Sequence, residues 1–140
     1  VRLAYRYLDV KTTFNGVLRE QSLLAKNRGF INLEYTTKKK WSFDLTSQFI
    51  GAKRLPLLND NPEALRLEDY SPFYTMLNGQ ISKSWKKWEL YLGAENLLNV
   101  IQKELILDTN NPYGEYFDAS MVWGPAMGRL VYVGFRYEID

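Results

Sequence analysis

At 140 residues with a formal net charge of +2, the chain can bury one respectable core and is too nearly neutral to read as a nucleic-acid binder. It has no cysteine and no histidine, which excludes disulfides and thiolate metal sites and removes the usual general base and the commonest metal ligand. The longest charge-free stretch, Tyr70 to Ser82, falls far short of the roughly 20 residues a membrane helix requires, so only strands could carry this chain across a bilayer.

The dominant period is two. Val1 opens directly inside an alternating pattern, "VRLAYRYLDV", with no leader-like segment before it, and the chain is therefore expected to be a piece of a longer protein. Alternation predicts a first strand over residues 1–13, then a long link over 14–27. "GFINLEYTT" predicts a second strand over 28–37, and "WSFDLTSQF" a third over 41–53, joined by the short turn Lys38 to Lys40. The link over 54–72 is long, and its "NPEALRLEDY" offers at most one helical turn. "TMLNGQISKSW" and "WELYLGAEN" predict strands over 73–85 and 88–97 around Lys86 and Lys87; a third long link, 98–127, leads to a last strand over 128–139.

Short turns thus alternate with long loops, as in an up-and-down antiparallel meander with one plain and one elaborated end. Outer-membrane barrels are built this way, with short periplasmic turns and longer extracellular loops. The turns also fix register. A two-residue hairpin pairs Trp85 with Trp88, and a three-residue one pairs Thr37 with Trp41. Stepping by twos then puts Ile31, Leu33, Tyr35, Phe43, Leu45, Leu77, Ile81, Leu90 and Leu92 on one apolar face. Asn32, Glu34, Asp44, Gln48, Asn78, Gln80, Glu89 and Glu95 lie behind it. In the last strand Val131, Val133, Phe135, Tyr137 and Ile139 share one parity, opposite Arg136 and Glu138.

Alternation alone fits two inverse arrangements: a soluble sandwich with the apolar side inward, or a membrane barrel with that side to lipid. Trp41, Trp85 and Trp88 sit beside the two lysine turns, the arrangement that a membrane–water interface favours. Strands of ten or so residues also suit a tilted membrane strand of about 9–11 residues. Both observations favour the transmembrane arrangement, with Leu33, Leu45, Leu77, Ile81, Leu90, Leu92, Val131 and Val133 facing lipid.

"WELYLGAENLLN" (Trp88 to Asn99) and "NPYGEYFDASMVWGPAMGRLVYVGFRYEI" (Asn111 to Ile139) resemble the C-terminal end of TonB-dependent outer-membrane receptors, most closely the Bacteroides-like type. Gly93, Glu95, Asn96, Leu97 and Asn99 match the family's Gly-x-Glu-Asn-Leu-x-Asn stretch, and "RLPLLNDNPEALRLEDYSPFYTMLNGQI" is similar in style. The resemblance implies a barrel of about 22 strands closed around an N-terminal plug, with residues 1–140 forming the C-terminal part of that single barrel domain. Its partners would be outer-membrane lipid, the plug and the remaining strands, the TonB complex through the plug, and an extracellular ligand whose identity stays open among siderophore, cobalamin, glycan and metal complex. Phe135, Tyr137 and Ile139 would be the terminal signal read by the barrel-assembly machinery. Asp140 departs from the family's habit of ending on an aromatic or apolar residue.

Other readings are a porin-like channel, with the same strands and girdle, and a soluble β-sandwich that binds carbohydrate. Glu104, Asp108, Glu115 and Asp118 cluster in the last loop, but no spacing singles out an acid/base pair or a hard-cation set, and no enzymatic activity, metal or cofactor is expected. Tyr70, Tyr113, Tyr116 and Trp123 near the loop ends either touch a ligand or pack the loops together. The polar-face residues form either a hydrated wall or one that contacts the plug.

Overall fold

A computed structural model describes residues 1–58 and 60–139; Asp140 lies outside the described residues. The elements are β1 (Arg2–Tyr7), β2 (Lys11–Phe14), β3 (Val17–Glu20), β4 (Asn27–Thr36), β5 (Trp41–Ile50), β6 (Tyr74–Trp85), β7 (Trp88–Glu95) and β8 (Leu130–Tyr137), with a 3-10 turn at Glu63–Leu65. Six of these strands form one antiparallel sheet in the order β1-β4-β5-β6-β7-β8, and β2 and β3 form a separate two-stranded sheet. The all-β, antiparallel character and the expected single turn in "NPEALRLEDY" are therefore present. The sheet is open: β1 and β8 are its two edges.

The first strand is shorter than alternation predicts. It ends at Tyr7, and residues 11–20 leave the main sheet as the hairpin β2–β3 instead of extending the strand to 13 and then looping. The cause is local. Asn15 and Gly16 both adopt positive φ, 49° and 76°, the geometry of a two-residue turn whose twist matches the flanking strands, so Phe14 pairs with Val17 and Lys11 with Glu20. Leu8 N donates to Lys26 O at 2.8 Å, and Tyr7 pairs with Asn27, which closes β1 against β4 before the hairpin departs.

The two lysine turns behave as the pattern predicts. Thr37 N donates to Trp41 O at 2.8 Å across Lys38–Lys40, with Lys40 at φ 60° in the left-handed region. Trp85 pairs directly with Trp88, with Lys86 at φ 51°. Register then runs unbroken across the sheet. One apolar row reads Tyr35, Phe43, Ile81, Leu92, Val133, and the next reads Leu33, Leu45, Gly79, Ala94, Val131.

Among the described residues few are buried, and they are not on the apolar face. The buried apolar side chains are Ala25, Ile50, Leu55, Leu107 and Met121, all in the long loops or at the strand ends nearest them. Leu92 is 50% exposed and Val133 72%, whereas Asn32 and Ser82 on the other face are only 9% and 7% exposed. Among the described residues no second layer covers the apolar side.

Candidate functional site

The sheet has two chemically different ends. At the turn end, Trp41, Trp85 and Trp88 come together with the lysines. Ser84 N donates to Lys40 O at 3.0 Å, linking one turn to the other. The Trp88 ring lies 4.6 Å from that of Tyr137 and 5.9 Å from that of Phe135. Lys83 has the parity of the apolar face, opposite Trp41 and Leu90. Its Nζ reaches along the strand to the turn level, 5.3 Å from the Trp41 ring centroid, and donates to the carbonyl of Lys39. A cation on an apolar stem that carries its charge towards a polar boundary is the behaviour known as snorkelling.

Leu33, Leu45, Leu77, Ile81, Leu90, Leu92, Val131 and Val133 all share the apolar face by register. Phe135 and Tyr137 continue it beside the tryptophans, and Ile139 lies beyond β8, exposed.

The polar face is organised by side-chain hydrogen bonds. Asn32 Nδ2 donates to Asp44 Oδ2 at 2.8 Å and to Thr46 Oγ1 at 2.9 Å. Arg136 and Glu89 form an ion pair at 2.9 Å, and Arg2 lies 3.4 Å from Glu34. Gly93 is opposite Tyr132, and Gly134 is opposite Tyr91. Each tyrosine ring covers its glycine so closely that an added Cβ would lie 2.3 Å from the ring or its hydroxyl. Tyr132 OH also donates to Gln80 Oε1 at 3.0 Å. These reciprocal pairs, in which rings shield strand glycines, explain Gly93 of the "GAENLLN" stretch in structural terms.

Asn96 and Asn99 of the same stretch clasp the base of the last loop. Asn96 takes φ 50° and is buried. Its Nδ2 donates to Val100 O at 2.8 Å and Met127 O at 3.2 Å, and its Oδ1 accepts from Val100 N at 2.9 Å. Asn99 Oδ1 accepts from Arg129 N at 3.0 Å. The Arg129 guanidinium donates to Leu97 O at 2.7 Å, and Leu97 N to Leu77 O at 2.7 Å. Glu95 pairs with Leu130. The stretch therefore starts and closes a loop, a role that its asparagines, tolerant of positive φ, fit well.

At the loop end, Tyr70 and Trp123 line one cleft of about 350 Å³ together with Leu55, Ile101, Gln102 and Lys103. Tyr113 and Tyr116 do not line it; Tyr113 is fully exposed. Asp118 is held in its own loop, with Oδ1 accepting from Ser120 N at 2.7 Å and its backbone bridged to Leu107. Among the described residues no three metal-ligating side chains converge.

Two features at this end were not anticipated. Gln102 is 2% exposed, and its amide is saturated: Nε2 donates to Glu104 O and Met121 O at 2.7 Å, and Oε1 accepts from Trp123 N and Gly124 N at 2.8 and 2.9 Å. Lys53 donates to Trp123 O and lies 5.7 Å from the Tyr74 ring centroid, while Tyr74 OH donates to the same carbonyl at 3.3 Å. Burial, with the charge of Arg28 beside it, holds the Lys53 ammonium below its ordinary pKa. Compared with known proteins, the chain matches no family model, no curated sequence and no solved structure.

Proposed function

We propose that the chain forms closing strands of the barrel wall of a TonB-dependent outer-membrane receptor, which imports a scarce ligand using energy delivered through TonB. The observation that carries the proposal is the inverted polarity of the sheet. Its apolar face runs uncovered from β1 to β8, whereas its polar face holds buried, hydrogen-bonded side chains. In a soluble sandwich the apolar side is the one that must be covered. In a membrane barrel it meets lipid and the polar side faces the lumen.

Three further observations support this reading. The tryptophans and lysines gather at a single level beside the short turns, as an interface girdle does. Strands β4, β5 and β6 run 10, 10 and 12 residues, which suits crossing an apolar slab at a tilt. The resemblance of Trp88–Asn99 and Asn111–Ile139 to the receptor family favours a receptor over other barrels. On this reading the edges β1 and β8 pair with strands elsewhere in the barrel, since six strands are fewer than the 8 or so of the smallest membrane barrels.

The test is fractionation of the full-length protein. It should sediment with outer membranes, resist a carbonate wash, and require detergent for release. In gels it should migrate differently before and after boiling, as a folded barrel does. Recovery in the aqueous phase without detergent would overturn the proposal. A plug domain is expected upstream of these strands; additional strands there instead would favour a passive channel.

A further inference from the structure

Along the polar face, charges are arranged differently at the two ends. Towards the short turns the cations are paired, Arg2 with Glu34 and Arg136 with Glu89. Nearest the long loops, one row reads Arg6, Arg28, Ile50, Tyr74. Arg6 and Arg28 are direct cross-strand partners on one face, where Cβ atoms stand about 5 Å apart and like charges repel. Lys53, whose Nζ lies 5.7 Å from the Tyr74 ring centroid at the far end of this row, is near enough to Arg28 to feel its charge, although it does not line the cleft beside the arginine pair. The nearby acids are engaged elsewhere: Asp9 and Glu20 are taken by Lys11 and Lys26. Among the described residues Arg6, Arg28 and Lys53 have no carboxylate partner. A cleft of about 250 Å³ opens beside the arginine pair, with Gln48 and Phe30 in its wall.

We propose that Arg6, Arg28 and Lys53 form a binding site for a small polyanion that presents carboxylate or phosphate oxygens. Two guanidinium forks carried at directly opposed positions match the paired oxygens of such groups, and the ammonium adds a point charge. A neutral ligand would leave the arginine repulsion in place; an anion between the guanidinium groups removes it. The site lies on the face opposite the apolar one, so a dissolved anion reaches it and a lipid headgroup does not. This placement rests on the barrel reading proposed above.

The experiment is calorimetric titration of the full-length protein in detergent with citrate, inorganic phosphate and, as the neutral control, maltose. Citrate should bind, phosphate should bind more weakly, and maltose should not bind. Arg28→Gln should weaken citrate binding at least tenfold, Arg28→Lys should recover part of the loss, and Lys38→Gln at the opposite end should change nothing. With no anion present, the Arg28→Gln protein should melt at the same temperature as the parent or higher, because a repulsion has been removed. Equal citrate affinity in parent and Arg28→Gln protein would overturn the site. So would a parent that binds no citrate while Arg28→Gln lowers its melting temperature, since the cations would then serve an acidic segment of the protein itself. Boiling-dependent gel migration of the same samples separates the two claims. A barrel without citrate binding sinks only the anion site; citrate binding without a barrel sinks only the receptor reading.

Discussion

Placing arginine at successive apolar-face positions of β7 should destabilise the protein according to depth. Leu92 lies four residues from Trp88. At about 3.3 Å per residue that is ~13 Å along the strand, and a tilt of about 40° leaves ~10 Å of depth below the tryptophan level. The apolar band of a membrane barrel is about 25 Å tall, so on the proposed barrel reading Leu92 falls close to its midplane, where an arginine costs about 2–4 kcal/mol. Leu90 is half as deep, next to Lys83, a native cation that already reaches the turn level; Leu90→Arg should cost distinctly less than Leu92→Arg. Gln80→Arg, in the neighbouring strand and facing the other way, should cost less than about 1 kcal/mol. The assay is denaturant unfolding of the full-length protein in lipid vesicles, followed by tryptophan fluorescence and checked for equal slopes across variants. A packed soluble interface would rank the substitutions by local contact instead of by depth. Equal costs at 90 and 92, or a greater cost at 80 than at 92, would refute the assignment of faces.

Gly93→Val should destabilise by about 1–3 kcal/mol, because its Cβ would lie 2.3 Å from the Tyr132 ring; adding Tyr132→Ala should recover much of the loss, as a double-mutant cycle would measure. Gln102→Leu keeps the volume but orphans the two carbonyls and two amides that its side chain now satisfies, and at about 1–3 kcal/mol for each buried group left unpaired the last loop should become protease-sensitive while the sheet stays folded. The ion pair of Lys26 and Glu20, 2.5 Å apart, should tether the β2–β3 hairpin over a defined pH window. The hydrogen bond from Lys26 holds the Glu20 carboxyl below its ordinary 4.5, so that contribution is present above 4.5 and is lost as pH falls through the lowered value. The hydrogen bond to Glu20 raises the Lys26 ammonium above its ordinary 10.5, so its contribution is complete below 10.5 and is lost as pH rises through the raised value. Protease nicking of residues 11–20 should therefore increase at acid pH in the parent and increase distinctly less in Glu20→Gln, where only the Asp9 pairs with Lys11 and Lys26 remain.

Legibility in the sequence followed the length of the connections. Where a turn is two or three residues long, as at Lys86–Lys87 and Lys38–Lys40, the turn fixes register, and period two then assigns every side chain to a face; Trp85 opposite Trp88 and Leu33 opposite Leu45 were both readable. Where the connection is long, register is set by contacts that no local pattern encodes. That is why the opposition of Arg6 and Arg28 was invisible, and why Gln102, buried by partners up to 22 residues away, looked like any loop glutamine. The end of β1 differs from the expected strand over residues 1–13 for another reason. Alternation is present on both sides of Tyr7 but slips by one residue there: the apolar positions are odd through Tyr7 and even from Leu8 to Phe14, and that slip, with the Asn15-Gly16 pair that places the hairpin, marks where the strand leaves the sheet. Tyr70 and Trp123 converge on one cleft but Tyr113 and Tyr116 do not, because loop aromatics carry no period from which to tell them apart.

The stabilising interactions within this chain are those expected of a sheet whose apolar side is not its core. Its apolar face contributes little burial, with Leu92 and Val133 at least half exposed, and a contiguous apolar surface that spans six strands exceeds what monomers normally leave to water. Order therefore comes from the backbone ladder, from polar-face bonds such as Asn32 to Asp44 and Tyr132 to Gln80, and from the loop clasps at Asn96 and Gln102. All of these specify geometry while supplying modest net free energy, about 1 kcal/mol for a typical hydrogen bond. The missing term is the one that the apolar face would gain from a nonaqueous neighbour. On the proposed reading that neighbour is lipid, and the same accounting explains why the polar contacts lie on the inner face: a barrel wall must hold its shape from the lumen side, because lipid offers no directional contacts to hold it from outside.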